Sequence, residues 1–220
     1  MIDDNKDIKL LIFDFDGTLA NTVPHIINCI IKCIGKFELK NFSYEDIEKF
    51  NGAVLGNVLK ELGASDNQLL EIKDYYTSIF FDDISDIYIY DNVLETLKEL
   101  KKRGYILSVA SNRNKNTMIP LLESLGILQF FDKIVCESDV ENKKPSADMV
   151  EIILKEFGCS KDETLVLGDT KFDIMMSNNA NCKSCYVCHE EKPNEDVLKL
   201  NPDFVIYNFR ELLEKTFSLK

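Results

Sequence analysis

Apolar and polar positions along the chain fall into two rhythms. Short apolar runs, which predict strands buried on both faces, occur at 10–13, 105–110, 133–136, 164–167, 183–188 and 203–207. Between them the apolar positions recur at helical spacing. Val23, Ile27, Ile30, Ile34 and Phe37 step by four and three, with Pro24 suited to a first turn and Thr22 as cap. Ser43-Tyr44-Glu45-Asp46 resembles a capping box with Asp in place of Glu, and Asn51-Gly52 ends the short helix it opens. Val54 to Leu62 is a further helix stopped by Gly63, and Ser65-Asp66-Asn67-Gln68 is a second capping box, opening a helix to about Phe80. Residues from about 20 to 85 therefore read as all-helical.

From Asp91 strands and helices alternate. Val93, Leu94, Leu97 and Leu100 stripe one helix, with Gly104 as its stop. Another runs to Leu125, with Pro120 expected in its first turn or kinking it. Ser146 to Phe157, Phe172 to Ala180 and a closing helix from Phe209 complete the set. Alternation of this kind implies a parallel sheet covered on both faces. The expected architecture is one α/β core, residues 1–19 and 87–220, interrupted after its first strand by a helical unit, residues 20–86.

The strand ends carry the chemistry. The first strand stops on Asp14-Phe15-Asp16-Gly17-Thr18. Residues i and i+2 of an extended segment share a face, so both carboxylates point into one pocket if extension persists. Two neighbouring carboxylates repel unless a cation or a shared proton relieves them, and Mg²⁺ prefers such oxygen ligands. A solvated turn is the plainer alternative. Ser111-Asn112 and Gly168-Asp169, with Asp173 four residues on, end two later strands, and Lys144-Pro145 precedes a helix. Ligands of open parallel sheets bind beyond these carboxyl ends. Together the groups suit a Mg²⁺-bound phosphoryl group, whose transfer depends on positioning and charge neutralisation.

Composition narrows the partners. At 45% hydrophobic and 29% charged the chain reads as an ordinary globular protein. A formal net charge of −12 argues against a nucleic-acid polymer or an anionic membrane surface as partner. No apolar run approaches a membrane span, and the acidic N-terminus does not resemble a signal peptide. Seven cysteines, an odd number, fit a reducing cytoplasm better than a disulfide framework. The expected partner is a small phosphorylated metabolite, bound by a monomer or weak homodimer.

Cys182, Cys185, Cys188 and His189 form C-x-x-C-x-x-C-H, the spacing of a metal or haem site. On a strand, however, residues three apart face opposite sides, so buried structural cysteines are the expectation. His25 reads as an exposed helix histidine in preference to a substrate contact. His189 is assigned no role.

The order Asp14-x-Asp16-Gly-Thr-Leu, Ser111-Asn112, Lys144-Pro145, Gly168-Asp169-x-x-x-Asp173 resembles the haloacid dehalogenase superfamily of Mg²⁺-dependent phosphohydrolases over essentially the whole chain. Asn21-Thr22-Val23-Pro24 and the helical insertion are similar to its phosphoglycolate-phosphatase-like branch, which has a small helical cap. The resemblance implies a Rossmann-like core. It also implies Asp14 as nucleophile and Mg²⁺ ligand, and Asp16 as general acid and base with its carbonyl on the metal. Ser111, Asn112 and Lys144 would hold the phosphoryl oxygens, Asp169 would ligate the metal, and Asp173 would support that shell. Asn51, Gly52 and Ala53 would roof the pocket. Ala180-Asn181 stands where Ala-Gly is usual. Asp16 favours a phosphate ester over a carbon–halogen bond, because a leaving halide needs no proton. A phosphomutase shares the catalytic set and remains an alternative, as does a non-catalytic phosphate-binding or signalling protein. Receiver domains, however, are shorter and carry their lysine in a different order.

Overall fold

The computed structural model describes residues 8–214. The acidic residues 1–7 and the end of the expected closing helix, 215–220, lie outside the described residues. Six parallel strands form one sheet in the order β3-β2-β1-β4-β5-β6. They are β1 (Leu10–Phe13), β2 (Ile106–Ser111), β3 (Lys133–Cys136), β4 (Thr164–Gly168), β5 (Lys183–Val187) and β6 (Phe204–Ile206). β1 is central because its residues are apolar on both faces. Leu11 and Phe13 enter one cluster of buried side chains, and Leu10 and Ile12 enter another.

Helices cover both faces, as a parallel sheet requires. On the Phe13 side lie α5 (Val93–Lys102), α6 (Lys115–Ser124) and the short α10 (Glu211–Glu214), which contribute Leu97, Leu121 and Leu212. On the other side α7 (Asp148–Phe157) and α8 (Lys171–Ala180) contribute Met149, Ile153 and Met176. A one-turn α9 (Glu195–Leu198) precedes β6. Between β1 and α5 the chain forms four helices: α1 (Val23–Phe37), α2 (Tyr44–Glu48), α3 (Leu55–Glu61) and α4 (Leu69–Phe80). Their apolar stripes join the Phe13-side core, with Ile27, Ile30, Leu59 and Phe80 nearly inaccessible. None of the helices among the described residues is long and apolar enough to cross a membrane.

Several local expectations change. The Ser65–Gln68 segment is a turn in which Gln68 accepts from the Ser65 N–H, and α4 starts only at Leu69. Pro120 lies in the second turn of α6, neither in the first nor at a break. The helix tolerates the lost N–H because Leu121 and Leu122 on the same segment are fully buried. Thr22 occupies the cap position of α1 but makes no capping bond; its hydroxyl turns elsewhere. His25 is half-buried, its Nε2 2.8 Å from the Phe80 carbonyl and its ring edge-on to Phe80. It therefore braces α1 against α4.

Other features match the sequence. Ser43 caps α2 by accepting from the Asp46 N–H. Asn181 takes the left-handed position that ends α8, with φ 56°. Cys182, Cys185 and Cys188 are buried in three separate apolar clusters, so they grip no common ion.

Candidate active site

The strand order reverses direction around β1, and the carboxyl ends of β1, β2 and β4 open onto one crevice. Register aligns them: Phe13 lies opposite Val109 on one side and Leu167 on the other. Asp14 continues the pairing, its N–H bonding the Leu167 carbonyl at 2.8 Å. Its carboxylate thus leaves the sheet from a rigid base.

Three acidic side chains meet there. One oxygen each from Asp14, Asp169 and Asp173 lies within 4.8 Å of the others. Lys144 reaches in with Nζ 2.6 Å from Asp14 and 2.6 Å from Asp173. The other Asp173 oxygen accepts from the Thr170 N–H and hydroxyl at the head of α8. Asp169 accepts from the Thr18 hydroxyl at 2.6 Å and from the Asn51 amide at 3.2 Å. Three carboxylates against one ammonium leave a formal excess of two negative charges in a buried place. Burial, only partly offset by Lys144 and reinforced by Asp173 and Asp16, pushes the Asp14 carboxyl up to about 7. Burial, then Asp14 and Asp173, raises Asp169 well above its ordinary value. Burial alone would lower the Lys144 ammonium, yet Asp14 and Asp173 outweigh it and raise it. A divalent cation with oxygen preference is the group this donor set fits.

Two glycines make the cluster possible. A Cβ on Gly17, at φ +80°, would overlap the Asp169 carboxylate, and one on Gly168 would overlap Cβ and Cγ of Asp173. Gly168→Ala is expected to displace Asp173 and the first turn of α8. Turnover should fall at least tenfold while the melting temperature drops by several degrees; unchanged activity in a folded Gly168→Ala would contradict this packing.

Asp16 lies in the same cavity but outside the three-carboxylate group. Its oxygens are taken by Arg113 and by the Thr22 hydroxyl at 2.5 Å. Ser111 is buried and lines the cavity, its Oγ accepting the Arg113 N–H. The Asn112 side chain joins three parts of the chain: its amide donates to the Gly52 carbonyl and its oxygen accepts the Lys144 N–H. Asn51, Gly52 and Ala53 roof the cavity, and Gly52 sits against Thr170 and Phe172 too closely to admit a Cβ. The cavity measures about 120 Å³ and is walled on the α1–α4 side by Ile26, Ile30, Leu55 and Lys73.

Residues 11–187 match the family model for haloacid dehalogenase-like hydrolases. The chain belongs to that family. Within this hydrolase family it is a phosphatase, in keeping with its curated relatives. Pyrophosphatase PpaX of Bacillus velezensis is 29% identical over 213 residues, spanning 96% of this chain and 98% of that protein. PpaX of Bacillus pumilus is 30% identical, spanning 94% and 95%. The phosphoglycolate phosphatase of Mannheimia succiniciproducens is 27% identical, spanning 96% and 99%. Among solved structures, one described as a predicted phosphoglycolate phosphatase from Haemophilus somnus superposes with a TM-score of 0.84 at 24% identity, covering 96% of this chain and 99% of that one. That likeness shows the hydrolase fold.

Sequence reasoning missed three contributors to this hydrolase's site. Arg113 follows Ser111-Asn112 directly, yet a lone cation after a strand reads as a solvated turn. Thr22 reads as a helix cap by its position, whereas its hydroxyl reaches back to Asp16. His189 stacks on Tyr90 with ring centres 3.5 Å apart, and its Nε2 lies 2.9 Å from the Thr18 carbonyl. Burial lowers the His189 pKa, so the ring braces the Thr18 turn as a neutral group.

Proposed function

We propose that this phosphatase is a Mg²⁺-dependent enzyme that hydrolyses a small phosphorylated metabolite through a phospho-aspartyl intermediate at Asp14. The observation carrying this reading is the buried carboxylate trio with its single ammonium, an excess of negative charge that a divalent cation would balance. Asp14, Asp169 and the Asp16 carbonyl would hold the ion, with Asp173 supporting that set through Lys144 and Thr170. Bound there, Mg²⁺ supplies charge neutralisation for the phosphoryl oxygens.

The chain's own groups do the rest. Asp14 attacks phosphorus, and the bond to the leaving oxygen breaks as Asp16 gives that oxygen a proton. Asp16, now ionised, takes a proton from the water that attacks the phospho-aspartate, which restores Asp14 and frees phosphate. Lys144 and Ser111 hold the phosphoryl oxygens. Residues 20–86 act as a cap over the crevice, docked through Asn51 and Gly52.

Substrate identity rests on the cap side of the cavity. Pyrophosphate and phosphoglycolate, named for the relatives, are both small and carry a second anionic group. Lys73 lines the cavity from α4 and has no carboxylate partner among the described residues. It is the cation suited to that second group. Lys73→Met is expected to raise KM roughly tenfold for phosphates with a second anion and to leave neutral-tailed esters unchanged; equal effects on both would remove Lys73 from recognition. The class itself is tested by phosphate release from a panel of phosphorylated metabolites with and without Mg²⁺. Release should require the metal, and equal release in a chelator would contradict the reading.

A further inference from the structure

Arg113 makes the densest set of polar contacts in the crevice, and the reaction as described gives it no part. Its side chain is only 5% exposed. Nε lies 3.1 and 3.0 Å from the two Asp16 oxygens, and Nη2 lies 2.7 Å from Oδ1. Nη1 donates to the Thr117 hydroxyl at 3.3 Å. The guanidinium carbon lies over the Phe80 ring, 4.5 Å from its centre, and 5.9 Å from the centre of Phe15. Phe80 ends α4 on the cap side, whereas Arg113 and Asp16 belong to loops of the sheet. One short loop therefore places Ser111 in the cavity, ties Asn112 to Gly52 and clasps Asp16 with Arg113.

A buried guanidinium facing a single carboxylate adds little net stability against a well-packed apolar pair, because both ions lose their water. Its geometric effect is larger. A planar fork fixes the carboxylate in orientation as well as distance, and the ring beneath fixes the fork. Arg113 offers donors only.

We propose that Arg113 is a positioning residue for proton transfer, aligning Asp16 with the leaving oxygen and transmitting the seat of Phe80 in the cap to that alignment. The inference rests on the reading of Asp16 as general acid. It extends that reading to a residue whose guanidinium acts through the Asp16 carboxylate.

The test compares kcat/KM, which reports the steps up to leaving-group departure, on two esters. An alkyl phosphate needs a proton on its leaving oxygen, and p-nitrophenyl phosphate does not. Arg113→Met should lower kcat/KM on the order of 10- to 100-fold for the alkyl ester and less than threefold for the aryl ester. Arg113→Lys should stay impaired, because an ammonium does not form the fork on Asp16. Phe80→Leu, which keeps apolar bulk, should show the same selectivity at smaller size, and it carries the test should Arg113→Met fail to fold. The Arg113→Met/Asp16→Asn double variant should be no slower than Asp16→Asn alone. Equal losses on the two esters, or additive losses in the double variant, while Asp16→Asn itself discriminates between them, would overturn the role of Arg113 alone. Failure of Asp16→Asn to discriminate would overturn the acid assignment, and the inference with it.

Discussion

Asp14→Asn is expected to end turnover while making the metal-free protein more stable. On the proposed role of Asp14 as nucleophile, its loss costs roughly 10⁴- to 10⁶-fold in kcat. Stability moves the other way because the ionised Asp14 is disfavoured in the fold. Its carboxyl is raised from 3.8 to about 7 by burial, with Asp173 and Asp16 adding to the effect. Between those values the folded chain binds a proton that the unfolded chain has lost, so this group's contribution to stability falls as pH rises from about 4 to 7. Asn carries no charge and removes that loss. At pH 8 the variant should be more stable by on the order of 4 kcal/mol, a shift of about ten degrees, and the advantage should vanish near pH 4. Mg²⁺ should narrow the gap at pH 8 by stabilising the wild type more strongly. Thermal melts across pH with and without Mg²⁺ check each point, and an Asp14→Asn protein less stable than wild type at pH 8 would refute the electrostatic account.

Lys144→Met should be the most damaging single change to stability. Its ammonium is 2% exposed and contacts Asp14 and Asp173 at 2.6 Å each. Without it three carboxylates share the crevice with no counter-ion. Breaking such a buried arrangement by removing one partner costs about 3–5 kcal/mol. The sign of the pH effect follows from the raised carboxyls. Lys144 holds the Asp14 carboxyl down, so in the variant Asp14 takes up its proton at a higher pH than in the wild type; as pH falls the repulsion subsides and much of the lost stability should return. Phosphate release should fall by 10²-fold or more if Lys144 holds the phosphoryl oxygens as proposed. Denaturant unfolding of Lys144→Met at pH 5.5 and 8 is the check. A loss of the same size at both pH values would show that packing of the lysine stem, and not its charge, is what matters.

The sheet was legible because its strands are apolar on both faces and end abruptly. Leu10–Phe13 stops at Asp14, and Thr164–Gly168 stops at Asp169; no amphipathic helix breaks off in that way. Asp14 and Asp169 were legible for the same reason, since a charge at the end of a buried strand has few places to point, whereas Asp173 in α8 and Lys144 ahead of α7 drew their roles from the family resemblance. Local chemistry also read well where one residue acts on its neighbours. Ser43 caps α2, and Asn181 accepts a left-handed backbone.

Long-range contacts did not read. Arg113 and Asp16 are 97 residues apart, and neither alternation nor spacing says that one chain turn brings a guanidinium onto a carboxylate. His25 occupies what looks like a solvent-facing helix position until Phe80, 55 residues on, packs its ring against it. The delayed start of α4 has a nearer cause. Gln68 bonds back to Ser65 as in a capping box, but it closes a turn ahead of the helix. The pattern of side-chain types was right, and its backbone setting was one turn early.

Acid quenching during turnover, followed by mass mapping of the digested chain, tests the central claim most directly. With Mg²⁺ and a substrate that releases phosphate, one phosphoryl group should be trapped on Asp14, in the segment that follows Leu10–Phe13, and it should be absent from Asp14→Asn. Phosphate release with the phosphoryl group trapped on another residue, or undiminished release from Asp14→Asn, would contradict the assignment of Asp14 as nucleophile.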